Sequence, residues 1–204
     1  MKVFMVRVLA VLSTFTLASA AAKAQDLQTS PLPSIRFIGS GCPLTKGGGP
    51  SYHWEASTLV VAFSDMVANK GPGISLIDSR KTCSITIKLK LPKGLSYSLS
   101  GYSAEGFDDL AAHDKRTLTV TNFFQGQDQT TTLSDVAVGP KAEDFSPNHL
   151  NLASEYLWSP CLAQRAQTIT AAIRIGSGGD RTTSSAATLD ILRLPIRVKH
   201  CNPL

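Results

Sequence analysis

The chain has 204 residues, 43% hydrophobic and 17% charged, with 15 glycines, 11 prolines, four cysteines and a formal net charge of +5. A disordered chain needs fewer apolar residues and more charge, and a collagenous one needs glycine at every third position, so both are excluded. What remains is a folded globular chain, long enough to bury a continuous core as a single domain.

The N-terminus reads as a secretory signal. Lys2 and Arg7 give a basic start, Val8 to Ala18 form an apolar stretch, and small residues follow. Ala18-Ser19-Ala20 and Ala22-Lys23-Ala24 both fit a small-x-small cleavage pattern. Cutting after Ala24 is favoured over Ala20, which divides the chain into a cleaved signal peptide (1–24), a flexible leader (25–34) and a single domain (35–204). The apolar stretch is far short of the roughly 20 residues of a spanning helix, and no later run approaches that length. Cleavage removes three of the 20 basic residues and none of the 15 acidic ones, which lowers the net charge to +2. That excess is too small to predict a nucleic-acid partner. The expected location is secreted or extracellular, or periplasmic in a double-membrane bacterium.

In chain order, short strands are predicted over 35–38 and 58–63. Ile85, Ile87, Leu89 and Leu91 then alternate with Thr86, Lys88 and Lys90, the pattern of a sheet with one buried face. Pro92-Lys93-Gly94 marks a turn into Leu95, Tyr97 and Leu99, and the two runs read as a hairpin. Asp108 to His113 reads as a single helical turn or a continuing strand. Leu118 and Val120 alternate with threonines, 131–138 forms a further strand, and Ile169, Ala171, Ile173 and Ile175 define another. The last strand carries Leu192, Leu194, Ile196 and Val198; Pro195 cannot donate to a ladder, so an edge position or a bulge is expected there. Loops are expected at 46–50 and 176–185. No window shows an apolar stripe of helical period. The fold class is all-β, an antiparallel sandwich of roughly eight to ten strands with little helix.

Cys42, Cys83, Cys161 and Cys201 all lie beyond the signal. An even count in an exported chain points to two disulfides, for which three pairings exist. Pairing of chain neighbours, Cys42 with Cys83 and Cys161 with Cys201, is the expected one. Loops of this length would give about 4 kcal/mol each on the chain-entropy model. None of the four forms the Cys-x-x-Cys pair usual in structural zinc sites.

Catalytic signatures are weak. Gly101-Tyr102-Ser103-Ala104 continues with Glu105 and so fails the Gly-x-Ser-x-Gly pattern of a nucleophile elbow. His53, His113, His149 and His200 are dispersed, without metal-ligand spacing. Asp108, Asp109, His113 and Asp114 form the densest polar cluster; it has oxygen ligands but no calcium-loop pattern and reads as a solvated turn. No catalytic residue, metal ligand or cofactor is assigned. A two-carboxylate glycosidase stays open, because such partners converge from distant strands.

Surface recognition has more support. Tyr52, Trp54, Tyr97, Tyr102, Phe107, Phe123, Phe124, Tyr156 and Trp158 are candidates for a sugar-stacking platform. Adjacent members point to opposite sides of a strand, so at most half share a surface. Lys88 and Lys90, and separately Arg193, Arg197 and Lys199, form basic stripes suited to an anionic polysaccharide or to a solvated face that discourages edge pairing.

Four unusual elements stand in order: Gly39-Ser40-Gly41-Cys42-Pro43; Gly71-Pro72-Gly73 with Asp78-Ser79-Arg80-Lys81-Thr82-Cys83; Trp158-Ser159-Pro160-Cys161; and Cys201. In these the chain resembles the secreted fungal and bacterial proteins grouped as domain of unknown function 4360, over residues 35–201. The resemblance implies one domain, supports the local disulfide pairs and transfers no catalytic residue. The motif residues have structural explanations: Gly39, Gly41, Pro43, Gly71, Gly73 and Pro160 set turns, Asp78 caps one, and Arg80 pairs with Asp78 or a backbone carbonyl. The reading that follows is a non-catalytic binding or surface protein with a glycan or extracellular protein as ligand. The alternatives are an extracellular hydrolase, or an inhibitor or effector presenting the loop from Thr45 to Ser51.

Overall fold

A computed structural model describes residues 33–44, 49–176, 178 and 182–201. The predicted signal peptide, nearly all of the leader and residues 45–48 of the candidate inhibitory loop lie outside the described residues.

Alternating β-branched and leucine residues build two antiparallel sheets. The five-stranded sheet runs in the order β1 (Ser34–Ile38), β5 (Arg80–Lys88), β12 (Gln167–Gly176), β8 (Lys115–Phe124) and β9 (Thr130–Val138). The second runs β2 (Ser51–Glu55), β3 (Thr58–Ala62), β14 (Ile191–His200), β7 (Gly101–Leu110), β13 (Ser185–Thr188) and β4 (Val67–Lys70). Three more strands complete it: β6 (Leu95–Leu99) pairs with β14, while β10 (Lys141–Phe145) and β11 (Asn148–Leu150) pair with β7.

The fold is the expected antiparallel sandwich. The 14 strands of the described residues exceed the roughly eight to ten anticipated because several, such as β4, β11 and β13, are only three or four residues long. Among the described residues helix is confined to a 3-10 turn at Ala153–Glu155. Inward residues of one sheet, including Ile85, Ile87, Leu118, Ile169 and Ile173, meet Leu59, Val61, Leu99, Leu192 and Leu194 of the other in one core. Each such side chain, fully withdrawn from water, contributes about 1.5–3 kcal/mol.

The disulfides join Cys42 to Cys83 and Cys161 to Cys201, with Cα–Cα distances of 5.4 and 5.9 Å, as chain-neighbour pairing predicts. The Gly-Ser-Gly motif lets the chain lie against β5 beside the first bridge. A Cβ on Gly39 would stand 2.1 Å from the Thr82 carbonyl oxygen, and one on Gly41 would stand 2.0 Å from Met66 Sδ. Even small side chains are excluded there.

One local expectation is corrected, and one that allowed two readings is decided. The proposed hairpin of 85–91 with 95–99 does not form: β5 pairs with β1 and β12, whereas β6 pairs with β14 in the opposite sheet. Period-2 alternation marks both runs as half-buried strands but carries no information about which sheet each joins. Asp108 to His113 follows the strand reading and not the helical one: β7 continues to Leu110, and the chain turns over 111–113. Pro195 meets its expectation by interruption of the ladder. Arg193 pairs with Ser103 and Ile196 with Leu99, so residues 100–102 face only 194 and 195.

Candidate functional site

Three regions of the described residues concentrate polar chemistry. The predicted cluster at 108–114 turns out to be divided among them. Alternation along β7 turns Asp108 inward and leaves Asp109 exposed; His113 is exposed at φ 68°, and Asp114 is buried. No group of three or more His, Cys, Asp or Glu residues suited to a metal ion occurs among the described residues.

The first region lies between the sheets. Arg116, on the inward face of β8, is the largest fully buried side chain. Its Nε donates to Asp108 Oδ2 of the opposite sheet at 2.9 Å, and its Nη2 donates to Asp135 Oδ2 of β9 at 2.8 Å. The guanidinium carbon sits 4.0 Å from the centre of the Phe145 ring, and His149 Nε2 lies 3.4 Å from Asp135 Oδ1. Tyr102 packs against His149 at a ring distance of 5.2 Å. The cluster thereby ties β7, β8, β9, β10 and β11 together between the two sheets. Burial pushes the Asp108 carboxyl above its ordinary value despite the Arg116 hydrogen bond and charge. Burial also pushes the Tyr102 phenol up, to about 12, helped by the Asp135 charge. Two carboxylates do meet here, but Asp108 is sealed from solvent and both are held by one guanidinium. The pair does not present two carboxyl groups to a sugar ring, as hydrolysis requires.

Asp114 forms the second region. It accepts from Lys70 Nζ at 2.6 and 2.8 Å and from Ser185 Oγ at 2.6 Å. Burial opposes its ionisation, but the hydrogen bonds from Lys70, Ser185 and the Gly178 amide, with the Lys70 charge, together hold its carboxyl below the ordinary value. It locks β4, β13 and the 111–114 turn to one another and leaves no free ligand.

The third region is the outer face of the five-stranded sheet, where the strand registers assemble rows of hydroxyls. Ser84, Thr170, Thr121 and Thr132 lie side by side across β5, β12, β8 and β9. Ser84 and Thr170 hydroxyls are 2.9 Å apart, and those of Thr121 and Thr132 are 3.1 Å apart. Neighbouring rows add Thr82, Thr119 and Ser134 on one side and Thr86, Thr168 and Thr130 on the other. Spacing is about 4.8 Å across strands and about 6.7 Å between alternate residues along one. Each hydroxyl offers one donor and two acceptor sites, so a single mutual bond leaves capacity for a ligand. At one end of the face Arg80 stands directly opposite Arg174. Like charges opposed across strands disfavour a sheet by some tenths of a kcal/mol.

The aromatic candidates do not form a platform. Tyr97, Tyr102 and Phe124 are core, Tyr52 is 47% and Phe107 39% exposed on separate strands, and Phe123 alone lies on the hydroxyl face. Trp158 and Tyr156 pack together near the second disulfide with Lys199 4.1 Å from the centre of the Trp158 ring. The β14 basic stripe is accordingly broken up: Lys199 covers Trp158, and Arg193 Nη1 pairs with Glu105 at 2.5 Å. Lys88 remains on the hydroxyl face. Asp78 pairs with Lys81 at 2.8 Å and not with Arg80, which points the other way along the β5 alternation. Gly71 is packed against Ser184, and Gly73 turns at φ 76°. Pro160 and Cys161 help line a cavity of about 250 Å³ with Leu89, Leu91, Tyr97 and Gln164.

Fold and bridges together define a disulfide-bonded antiparallel β-sandwich. The chain belongs to the family described as Domain of unknown function (DUF4360), whose model matches residues 29–200. An uncharacterized secreted protein of Arthroderma benhamiae is 26% identical over 170 residues, covering 82% of this chain and 67% of that protein. Together with the two disulfides, this makes the chain a secreted protein. A solved structure described as "CBM4 structure and function" has a TM-score of 0.23 at 13% identity, covering 81% of this chain and 86% of that one. A family 11 carbohydrate-binding module from Clostridium thermocellum, in complex with a β-1,3-1,4-mixed-linked tetrasaccharide, has a TM-score of 0.24 at 8% identity. It covers 80% of this chain and 83% of its own. At these scores neither likeness bears on what this chain binds. No helix among the described residues is long and apolar enough to cross a membrane.

Proposed function

We propose that the chain is exported with loss of residues 1–24, that 35–204 form one domain, and that it acts without catalysis as a glycan-binding protein. The binding surface is the outer face of the five-stranded sheet. The observation that carries this reading is the four-hydroxyl row Ser84–Thr170–Thr121–Thr132, flanked by parallel rows. A sugar chain presents hydroxyls that both donate and accept, as threonine and serine do. An extended, ribbon-like polysaccharide meets such rows with many weak bonds, each replacing one to water. The family-motif residues serve the frame: Gly39 and Gly41 seat the first disulfide beside β5, and Trp158 and Pro160 flank the second.

A panel of immobilised polysaccharides with the purified mature protein tests this. Retention on at least one extended polysaccharide is expected. The Thr121→Val/Thr170→Val variant keeps shape and strand preference and is expected to lose at least tenfold in affinity with its melting temperature preserved. Absence of retention on every polysaccharide contradicts the proposal, as does full retention by the double variant.

A further inference from the structure

We infer that the ligand of this face is an acidic polysaccharide, bearing uronate or sulfate groups, and that Arg80, Arg174 and Lys115 form its anion-binding corner. The inference rests on the glycan-binding reading above and adds the charge class of the ligand. Every charged side chain pointing outward from the five strands is a cation: Arg36 on β1, Arg80 and Lys88 on β5, Arg174 on β12 and Lys115 on β8. The outward positions of β9 are Thr130, Thr132, Ser134, Val136 and Val138, with no charge at all. Among the described residues none of these five cations pairs with a carboxylate. Of the described acidic residues that flank these strands in sequence, Asp78 is held by Lys81, and Asp114, which precedes Lys115, is held by Lys70 and Ser185.

The asymmetry is not a by-product of overall charge. With the signal removed the chain totals only +2, so five cations on one face leave the remainder net acidic. Nor do Arg80, Arg174 and Lys115 guard a sheet edge, where lysine and arginine commonly deter pairing, since all three lie on interior strands. β12, which carries Arg174, is the central strand of the five. Arg80 is its direct cross-strand neighbour, and Lys115 precedes by two residues the Thr117 that pairs with Arg174. Directly opposed Cβ atoms are about 5 Å apart and diagonal ones about 7 Å, so one carboxylate or sulfate reaches all three side chains. Arg36 and Lys88 stand at the other end of the hydroxyl rows, opposite Thr86 and Ser34 on their neighbouring strands. A chain lying along the strands would meet cations at both ends and hydroxyls between them.

The test uses polygalacturonate and its fully methyl-esterified form, which share a backbone and differ in charge, with the intact mature protein. At low salt polygalacturonate is expected to bind at least tenfold more tightly than the ester, and added salt should remove that advantage. Arg80→Gln/Arg174→Gln is expected to lose at least tenfold on polygalacturonate and to leave binding of the ester unchanged, with a melting temperature no lower than the parent's. Equal affinity of the parent for both polymers overturns the inference and leaves the glycan reading standing. Failure to bind either polymer overturns the inference too, and only the wider panel then decides the glycan reading. Double-stranded DNA bound as tightly as polygalacturonate also overturns it, since the face would then select polyanions at large.

Discussion

Two arginine sites in this molecule obey opposite rules. Around Arg116 in the interior, Asp108 and Asp135 supply two carboxylates and Phe145 a ring face for a single guanidinium. On the outer face Arg80 and Arg174 oppose each other with no carboxylate partner among the described residues. The difference follows from dielectric. A charge taken out of water must be met by counter-charge and hydrogen bonds or the fold loses several kcal/mol, whereas solvent screens an exposed cation at little cost. Balance in the interior therefore reports on stability, and imbalance on the surface reports on what the surface meets.

The largest expected effect breaks the interior side of this contrast. Arg116→Leu leaves Asp108 buried without its partner and should cost about 3–5 kcal/mol in urea unfolding. Adding Asp108→Asn should recover part of that loss. A loss under about 1 kcal/mol for Arg116→Leu would show that the cluster does not fasten the sheets.

Asp114 gives a smaller interior effect with a pH signature. Its folded pKa lies below the ordinary 3.8, so the stability it contributes is fully present above that value and is lost as pH falls through the lowered one. Asp114→Asn should cost about 2 kcal/mol near neutral pH. Chemical denaturation of parent and variant should converge as pH falls below the ordinary carboxylate value and through the lowered one. A gap that stays constant with pH contradicts the assignment.

On the outer face the signs reverse. Arg174→Gln removes a repulsion and should shift stability by less than about 0.5 kcal/mol, in the favourable direction. A clear destabilisation in thermal melts would mean that Arg174 is a structural group and would erase the contrast with Arg116.

Much of the frame was legible in the sequence because period-2 alternation and local cysteine pairs are local signals. The registers were not. Thr117, Thr119 and Thr121 alternate visibly along β8, yet the meeting of Thr121 with Thr170 and Ser84 depends on pairing β12 between β8 and β5, strands far apart in the chain. The same blindness produced the false hairpin, where Leu95 to Leu99 belongs to the other sheet. Asp108 and Asp114 looked like one cluster by proximity, but alternation and the turn at 111–113 send them to different partners. Arg116 had one readable signal, a charge at an inward position of an alternating strand. Its two carboxylate partners lie 8 and 19 residues away and were not readable.

The most direct measurement is an amide NMR titration of the mature protein with polygalacturonate oligomers. Shift changes should concentrate on residues 80–86, 115–121 and 168–174, fade with added salt, and spare Tyr52, Phe107 and Glu105 on the opposite sheet. Changes centred on that opposite sheet, or none at saturating oligomer, would contradict the assignment of the hydroxyl face as the binding surface.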